Sequence, residues 1–319
     1  MILALAGGVG GAKLASGLYA SLGPDQLTVV VNTADDFDLY GLRISPDADT
    51  VLYTLAGLAN SATGWGVAGD TFETLDMLAR YGEHPWFRLG DRDLATHILR
   101  TQRLRDGWPL SRVLADFTAA LGVRASLLPM CDSPVATRIR TPAGEMAFQD
   151  YFVARHHADD VLGVSFAGIE EATLPRAVRG AAESAGAVVL CPSNPVVSIG
   201  PILAVPGMRA VLRGLAVPIV AVSPIVGGKA LRGPADRMLA GLGIEVSPFG
   251  VASLYRDLLA GIVIDTEDAA EAGRIEALGI HTLVTNTIMG SDDDRQRLAE
   301  KVLAFTGQLR GGSHEDVAL

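Results

Sequence analysis

Short apolar runs recur along the chain at Ile2–Ala6, Leu27–Val31, 161–166, Ala187–Leu190, 217–222, 262–264 and 282–284, and most lead into a helical pattern. Runs with few polar positions predict strands covered on both faces, hence a parallel sheet wound with helices. Between about residues 46 and 150 the rhythm changes. Helical periodicity dominates at 49–58, 71–81, 91–103 and 111–121, and an antiparallel pair follows at Ala136–Thr141 and 145–150 around Pro142-Ala143-Gly144. The expected fold class is α/β, a Rossmann-like, mostly parallel sheet with an inserted, mainly helical second region. Residues 1–45 and 159–306 are assigned to the nucleotide-binding domain, 46–158 to the insertion and 307–319 to a flexible tail.

The 319 residues are 49% hydrophobic, enough for a sizeable core, and the formal charge of -10 argues against a broad nucleic-acid surface. Cys131 and Cys191 lack partners at metal spacing and read as buried thiols of a reducing compartment. With no signal-peptide pattern and no run of eighteen apolar residues, a soluble, cytoplasmic protein without membrane contact is expected.

The first strand runs into Gly7-Gly8-Val9-Gly10-Gly11 and then Ala12-Lys13. Glycines between a strand and a helix let backbone N–H groups approach an anion, and Lys13 adds a charge. The spacing fits neither common fingerprint. A Walker loop needs Gly-Lys adjacent, and a dinucleotide loop counted from Gly8 finds Lys13 where its third glycine belongs.

Ligands of open α/β sheets sit beyond the carboxyl ends of the strands. There stand Asn32-Thr33-Ala34-Asp35-Asp36, whose hard carboxylate oxygens suit magnesium or can orient a hydroxyl. A proline-rich loop offers Ser193, Asn194 and Ser198 as neutral hydrogen-bonding groups, and Gly227-Gly228-Lys229 forms a second candidate anion turn. Thr285-Asn286-Thr287 follows the last run. In the insertion, Trp65 and Trp86 lie beside glycines and charges, and Asp93 and His97 share a helix face. No ordered nucleophile triad emerges.

Together these stretches resemble the 2-phospho-L-lactate transferase family of deazaflavin coenzyme F420 biosynthesis. The resemblance rests on residues 5–13, 32–36, 89–97, 192–199 and 223–229, in that order along nearly the whole chain. It implies a homodimeric, magnesium-dependent transferase acting on two small molecules. A 2-phospholactate or phosphoenolpyruvate group passes from a guanosine diphosphate-linked donor to the ribityl hydroxyl of the deazaflavin Fo, and GMP leaves. Gly8, Gly10, Gly11, Lys13, Ser193, Asn194, Ser198, Gly227, Gly228 and Lys229 would hold the donor. Asp35 and Asp36 would serve metal and hydroxyl, without their roles being separable. Asn32, Thr33, Trp65, Trp86, Asp91 and His97 would face the acceptor, with Arg138 or Arg155 available to the donor's small carboxylate. The competing reading is a non-catalytic regulator of the same superfamily that binds nucleotide sugars.

Overall fold

The computed structural model describes residues 1–155 and 157–312. A central sheet of seven parallel strands carries the molecule: β1 (Ile2–Ala6), β2 (Leu27–Val31), β5 (Ser126–Pro129), β9 (Ala187–Leu190), β10 (Ile219–Val222), β13 (Gly261–Ile264) and β14 (His281–Val284). Their spatial order is β14-β13-β10-β9-β1-β2-β5. In register, Leu3 stands beside Thr28 on one side and Val188 on the other. The chain thus winds one way from β1 and the other way from β9, which opens a crevice at the carboxyl ends of these two strands.

Alternation within the buried strands builds two cores. Ile2, Ala4, Ala6, Val29 and Val31 face one side, where α1 (Gly8–Ser21), α2 (Pro46–Leu55), α5 (Leu110–Ala120) and α12 (Asp292–Gly312) cover them with Leu14, Val51, Val113 and Leu298. Leu3, Leu5, Val188 and Ile262 face the other side. There α6 (Arg176–Glu183), α7 (Ile199–Ala204), α8 (Met208–Arg213), α9 (Ala235–Gly241), α10 (Pro248–Leu254) and α11 (Ala272–Glu276) close the second core with residues such as Val178, Ile202, Met208, Leu239, Val251 and Ile275.

Two antiparallel hairpins, β3 (Phe37–Leu39) with β4 (Leu42–Ile44) and β11 (Ile225–Val226) with β12 (Lys229–Ala230), rise from the carboxyl ends of β2 and β10. The helices α3 (Glu73–Arg80) and α4 (Asp91–Arg105) stand beside the first of them.

Three expectations change. Residues 161–166 do not join the central sheet: β8 (Gly163–Ala167) pairs antiparallel with β6 (Ala136–Thr141), which also pairs with β7 (Gly144–Ala147). That run is apolar but only half-buried, so its composition imitates an interior strand. Within 46–158, α2 and α5 cover the central sheet and β5 forms its edge; a four-residue strand ending in proline gave too short a pattern to read. Finally, α12 continues through 307–312 instead of ending at 306, while the remainder of the expected tail, like His156, lies outside the described residues. Among the described residues, no helix is long and apolar enough to cross a membrane. Cys131 and Cys191 are both free and buried.

Asp265, at the end of β13, ties the strand ends together. Its carboxylate accepts from Thr287 N at 2.7 Å, Thr287 Oγ1 at 2.9 Å and Glu267 N at 3.1 Å. Burial alone would raise this carboxyl, but these donors hold it below the usual value of 3.8. A depressed folded-state value stabilises the fold above the unfolded pKa, and that contribution fades as pH falls below about 4. Asp265→Asn is expected to cost about 1–3 kcal/mol at neutral pH. The gap to wild type in urea melts should shrink on acidification.

Candidate active site

Three strand ends and one helix start meet in the crevice. Asn32 follows β2, donates from Nδ2 to Asp47 Oδ2 at 3.0 Å and to the Val197 carbonyl at 3.1 Å, and so joins the β2 and β9 loops. Asp47 arrives on the first turn of α2, whose start is set by Pro46 and acidic residues suited to a helix N-terminus. The same carboxylate is hydrogen-bonded to the Gly8 N–H and the Ser198 hydroxyl. Gly7 N donates to Ser193 Oγ at 3.0 Å, binding the glycine turn to the β9 loop.

Into this knot points Asp35, buried, with Oδ1 lacking any hydrogen-bond partner. Burial raises its carboxyl well above the usual 3.8, and the neighbouring Asp47 raises it further. Asp47 itself is pushed up to about 6 by burial, against the pull of Asn32, the Gly8 N–H and Ser198. Two neighbouring buried carboxylates, one with an orphaned oxygen, form a donor set that fits a hard divalent cation.

Asp36 has partners of its own. Its Oδ2 accepts from Ser45 Oγ at 2.6 Å and stands 3.8 Å from Arg43 Nε, while its Oδ1 has no partner. Burial lifts this carboxyl to about 7 even though Arg43 and Ser45 pull it down. Adjacent in sequence, the two aspartates occupy different electrostatic surroundings.

Several expected donor groups have internal partners. A Cβ on Gly10 would run into the Pro192 carbonyl oxygen, and one on Gly11 into Ser193 Oγ. The missing side chains therefore serve close packing of α1 against the β9 loop. Gly10→Ala is expected to cost about 1–3 kcal/mol in a thermal melt, because the backbone must shift. Asn194 Oδ1 accepts from Val196 N and Val197 N at 2.9 and 3.3 Å, shaping its own turn. Gly227 and Gly228, with φ of 56° and 73°, form the two-residue turn of the β11–β12 hairpin. The Gly227 N–H already donates to both oxygens of Asp268 at 3.1 Å, and Lys229 lies exposed on this hairpin. Lys13 Nζ donates to the Met289 carbonyl at 2.7 Å.

The expected acceptor residues do not share one surrounding. Trp65 lines a cavity of ≈ 150 Å³ with Phe72, Arg88 and Asp93, and Arg88 lies 4.1 Å over the Phe72 ring. Trp86 packs 5.8 Å from Phe37, directly after the acidic loop. Thr33 is buried within that loop. Asp91 is committed elsewhere: its carboxylate accepts from Thr71 Oγ1, Glu73 N and Thr74 N and so caps α3. Asp70 returns the favour to α4 through Arg92 N and Asp93 N. Arg155 is paired with Asp159.

His97 sits in a buried ionic network. Its Nε2 is 3.2 Å from Asp93 Oδ1, which also accepts from Tyr53 at 2.7 Å, and its Nδ1 is 3.3 Å from Arg100 Nη1. Arg100 forks onto Asp49 and donates to the Arg43 carbonyl at 3.3 Å. Asp49, Asp93 and His97 are close enough to hold a metal ion, but the guanidinium already supplies the cation there. The network runs from beside Asp36 to the wall of the Trp65 cavity.

The sequence model described as 2-phospho-L-lactate transferase CofD matches residues 2–289. The chain belongs to this family. A 2-phospho-L-lactate transferase of Methanosarcina mazei is 41% identical over 95% of this chain and 99% of its own length. A phosphoenolpyruvate transferase of Kitasatospora aureofaciens is 42% identical over 98% and 99%. Relatives named for either donor group therefore stand at nearly equal similarity. A solved structure of a UPF0052 family protein from Bacillus halodurans superposes with a TM-score of 0.66 at 14% identity, covering 95% of this chain and 98% of that one. That likeness shows the shared α/β fold. The 2-phospho-L-lactate transferase family thus accounts for the expected fold and for transferase activity.

Asp47 escaped the sequence reading, as did Asp265. Ser45-Pro46-Asp47 reads as a helix start, and only the fold reveals that this start faces Asn32 and Asp35. The available signal was its position soon after a strand end, diluted by the intervening hairpin.

Proposed function

We propose that the chain transfers a 2-phospholactyl or phosphoenolpyruvyl group from a guanosine diphosphate-linked donor to the terminal ribityl hydroxyl of the deazaflavin Fo, releasing GMP, as a step of coenzyme F420 biosynthesis. The observation that supports this most is the buried cluster of Asn32, Asp35, Asp47 and Ser198 at the strand ends of a fold whose family members are such transferases. Attack of an alcohol on a diphosphate calls for positioning and charge neutralisation more than for a protein nucleophile.

Asp35 and Asp47 would hold magnesium, two buried carboxylates close enough that Asp47 raises the Asp35 carboxyl. When bound, the ion supplies neutralisation of the developing phosphate charge. The first-turn N–H groups of α1 after Gly8, which a helix leaves without internal partners, orient the donor diphosphate. Asp36, fixed by Ser45 and Arg43 with Oδ1 free, takes the hydroxyl proton; a carboxyl lifted to about 7 is matched to that task near neutral pH. The ribityl oxygen forms a bond to the distal phosphorus, the bridging P–O bond breaks, and its electron pair leaves on GMP. The deazaflavin ring lies toward Trp65 and Trp86.

Deazaflavin fluorescence tests the acceptor half. Titration with the protein should quench and saturate it, and Trp65→Ala should weaken binding. Saturable binding of a nucleotide sugar together with no deazaflavin binding would replace this reading with that of a regulator.

A further inference from the structure

The small antiparallel sheet β7-β6-β8 stands outside the central sheet, yet it grips the acidic loop. Thr137, near the start of β6, donates its backbone N–H to the Ala34 carbonyl at 2.7 Å. Gln149, just past β7, donates from Nε2 to the Asp35 carbonyl at 3.2 Å. With Asp36 N on the Thr33 carbonyl at 3.4 Å, the carbonyls of residues 33–35 are all tied down, those of Ala34 and Asp35 from this sheet. The sheet is itself braced, since Ile139, Phe148, Tyr151 and Val161 pack with Val197 and Met238. The Val197 carbonyl is the one that receives Asn32 Nδ2. Elements packed on one another thus hold the loop both at Asn32 and at Asp35.

Thr137 also brings a side chain to the carboxylate. Its Oγ1, like Asp35 Oδ1, is buried without a hydrogen-bond partner. The two groups are neighbours: burial and Asp47 raise the Asp35 carboxyl, and the Thr137 hydroxyl draws it back. An unpaired donor beside an unpaired acceptor is costly in a buried place until one completes the other. A carboxylate that gives one oxygen to a cation keeps lone pairs on the other, and donors to those lone pairs orient it and strengthen its hold.

We propose that Thr137 and Gln149 are positioning residues for cation binding by Asp35, Thr137 through a hydroxyl donated to the carboxylate and Gln149 through the backbone that carries it. Each acts through Asp35. The proposal rests on the assignment of Asp35 as a metal ligand.

Manganese binding to the full chain, followed by the loss of the free ion's paramagnetic resonance signal, tests this without turnover. Wild type should bind saturably, and Asp35→Asn should not. Thr137→Val keeps the backbone N–H and the branched shape but loses the hydroxyl, and it should bind manganese about ten- to a hundredfold more weakly. Its melting temperature should stay level or rise, because a buried unpaired hydroxyl is gone. Thr137→Ser should restore most of the affinity. Gln149→Met, similar in length without the donor, should weaken binding about tenfold. In the transfer reaction both weakened variants should need proportionally more magnesium for half-maximal turnover, with the deazaflavin KM level. Manganese affinity unchanged in Thr137→Val or in Gln149→Met would overturn the role of that residue. Weakened binding that falls together with the melting temperature and is not restored by serine would overturn it too, as would a wild type that binds no manganese. Variant-dependent manganese binding without any group transfer to the deazaflavin would reject the assigned reaction and leave the positioning role standing.

Discussion

Asp35→Asn is expected to lower turnover by about two to four orders of magnitude, the range typical of lost proton-transfer or charge-positioning groups, while the melting temperature stays level or rises. The two halves of that expectation have one cause. Asp35 is buried with an orphaned oxygen and faces a second buried carboxylate, an arrangement that costs stability until a ligand relieves it. The amide removes the charge and keeps the shape. A parallel loss of activity and melting temperature would mark Asp35 as a structural residue and remove it from the chemistry.

Arg100→Ala is expected to produce the largest loss of stability, about 3–5 kcal/mol in urea unfolding, because it leaves Asp49 buried without its counter-charge. Arg100 is fully buried and links Asp49 to the backbone of Arg43, whose side chain approaches Asp36. Arg100→Lys keeps the charge but not the fork, so it should recover part of the stability and less of the activity. Wild-type stability in the alanine variant would show that the network is dispensable.

These two residues also mark how far the sequence could be read. The interior strands β1, β2, β9, β10 and β13 and the edge strand β14 were legible because each is a compact apolar run followed by a helix or a polar turn. The place of the acidic loop at Asp35-Asp36 was legible for a related reason, since it follows the apolar run of β2 directly. What was hidden depends on partners distant in the chain. Gly10, Gly227 and Lys13 look alike as anion grips, yet Pro192, Asp268 and Met289 meet them in the fold. Asp91 looked like a ligand contact and caps a helix that begins eighteen residues earlier. Arg100 carried no signal, since a lone arginine on an amphipathic helix normally reaches solvent.

Family membership narrows the donor without choosing it, because relatives named for phospholactate and for phosphoenolpyruvate are equally similar to the chain. The choice depends on a small carboxylate-bearing group and on the few side chains that meet it.

The most direct test incubates the purified chain with deazaflavin Fo, magnesium and, in separate reactions, the guanosine diphosphate-linked lactate and enolpyruvate donors. Mass spectrometry then weighs the deazaflavin. The account predicts a new species heavier by one phospholactyl or phosphoenolpyruvyl group, equimolar GMP, and neither product with Asp35→Asn on the same timescale. Unmodified deazaflavin with both donors, or guanosine diphosphate released in place of GMP, would contradict it.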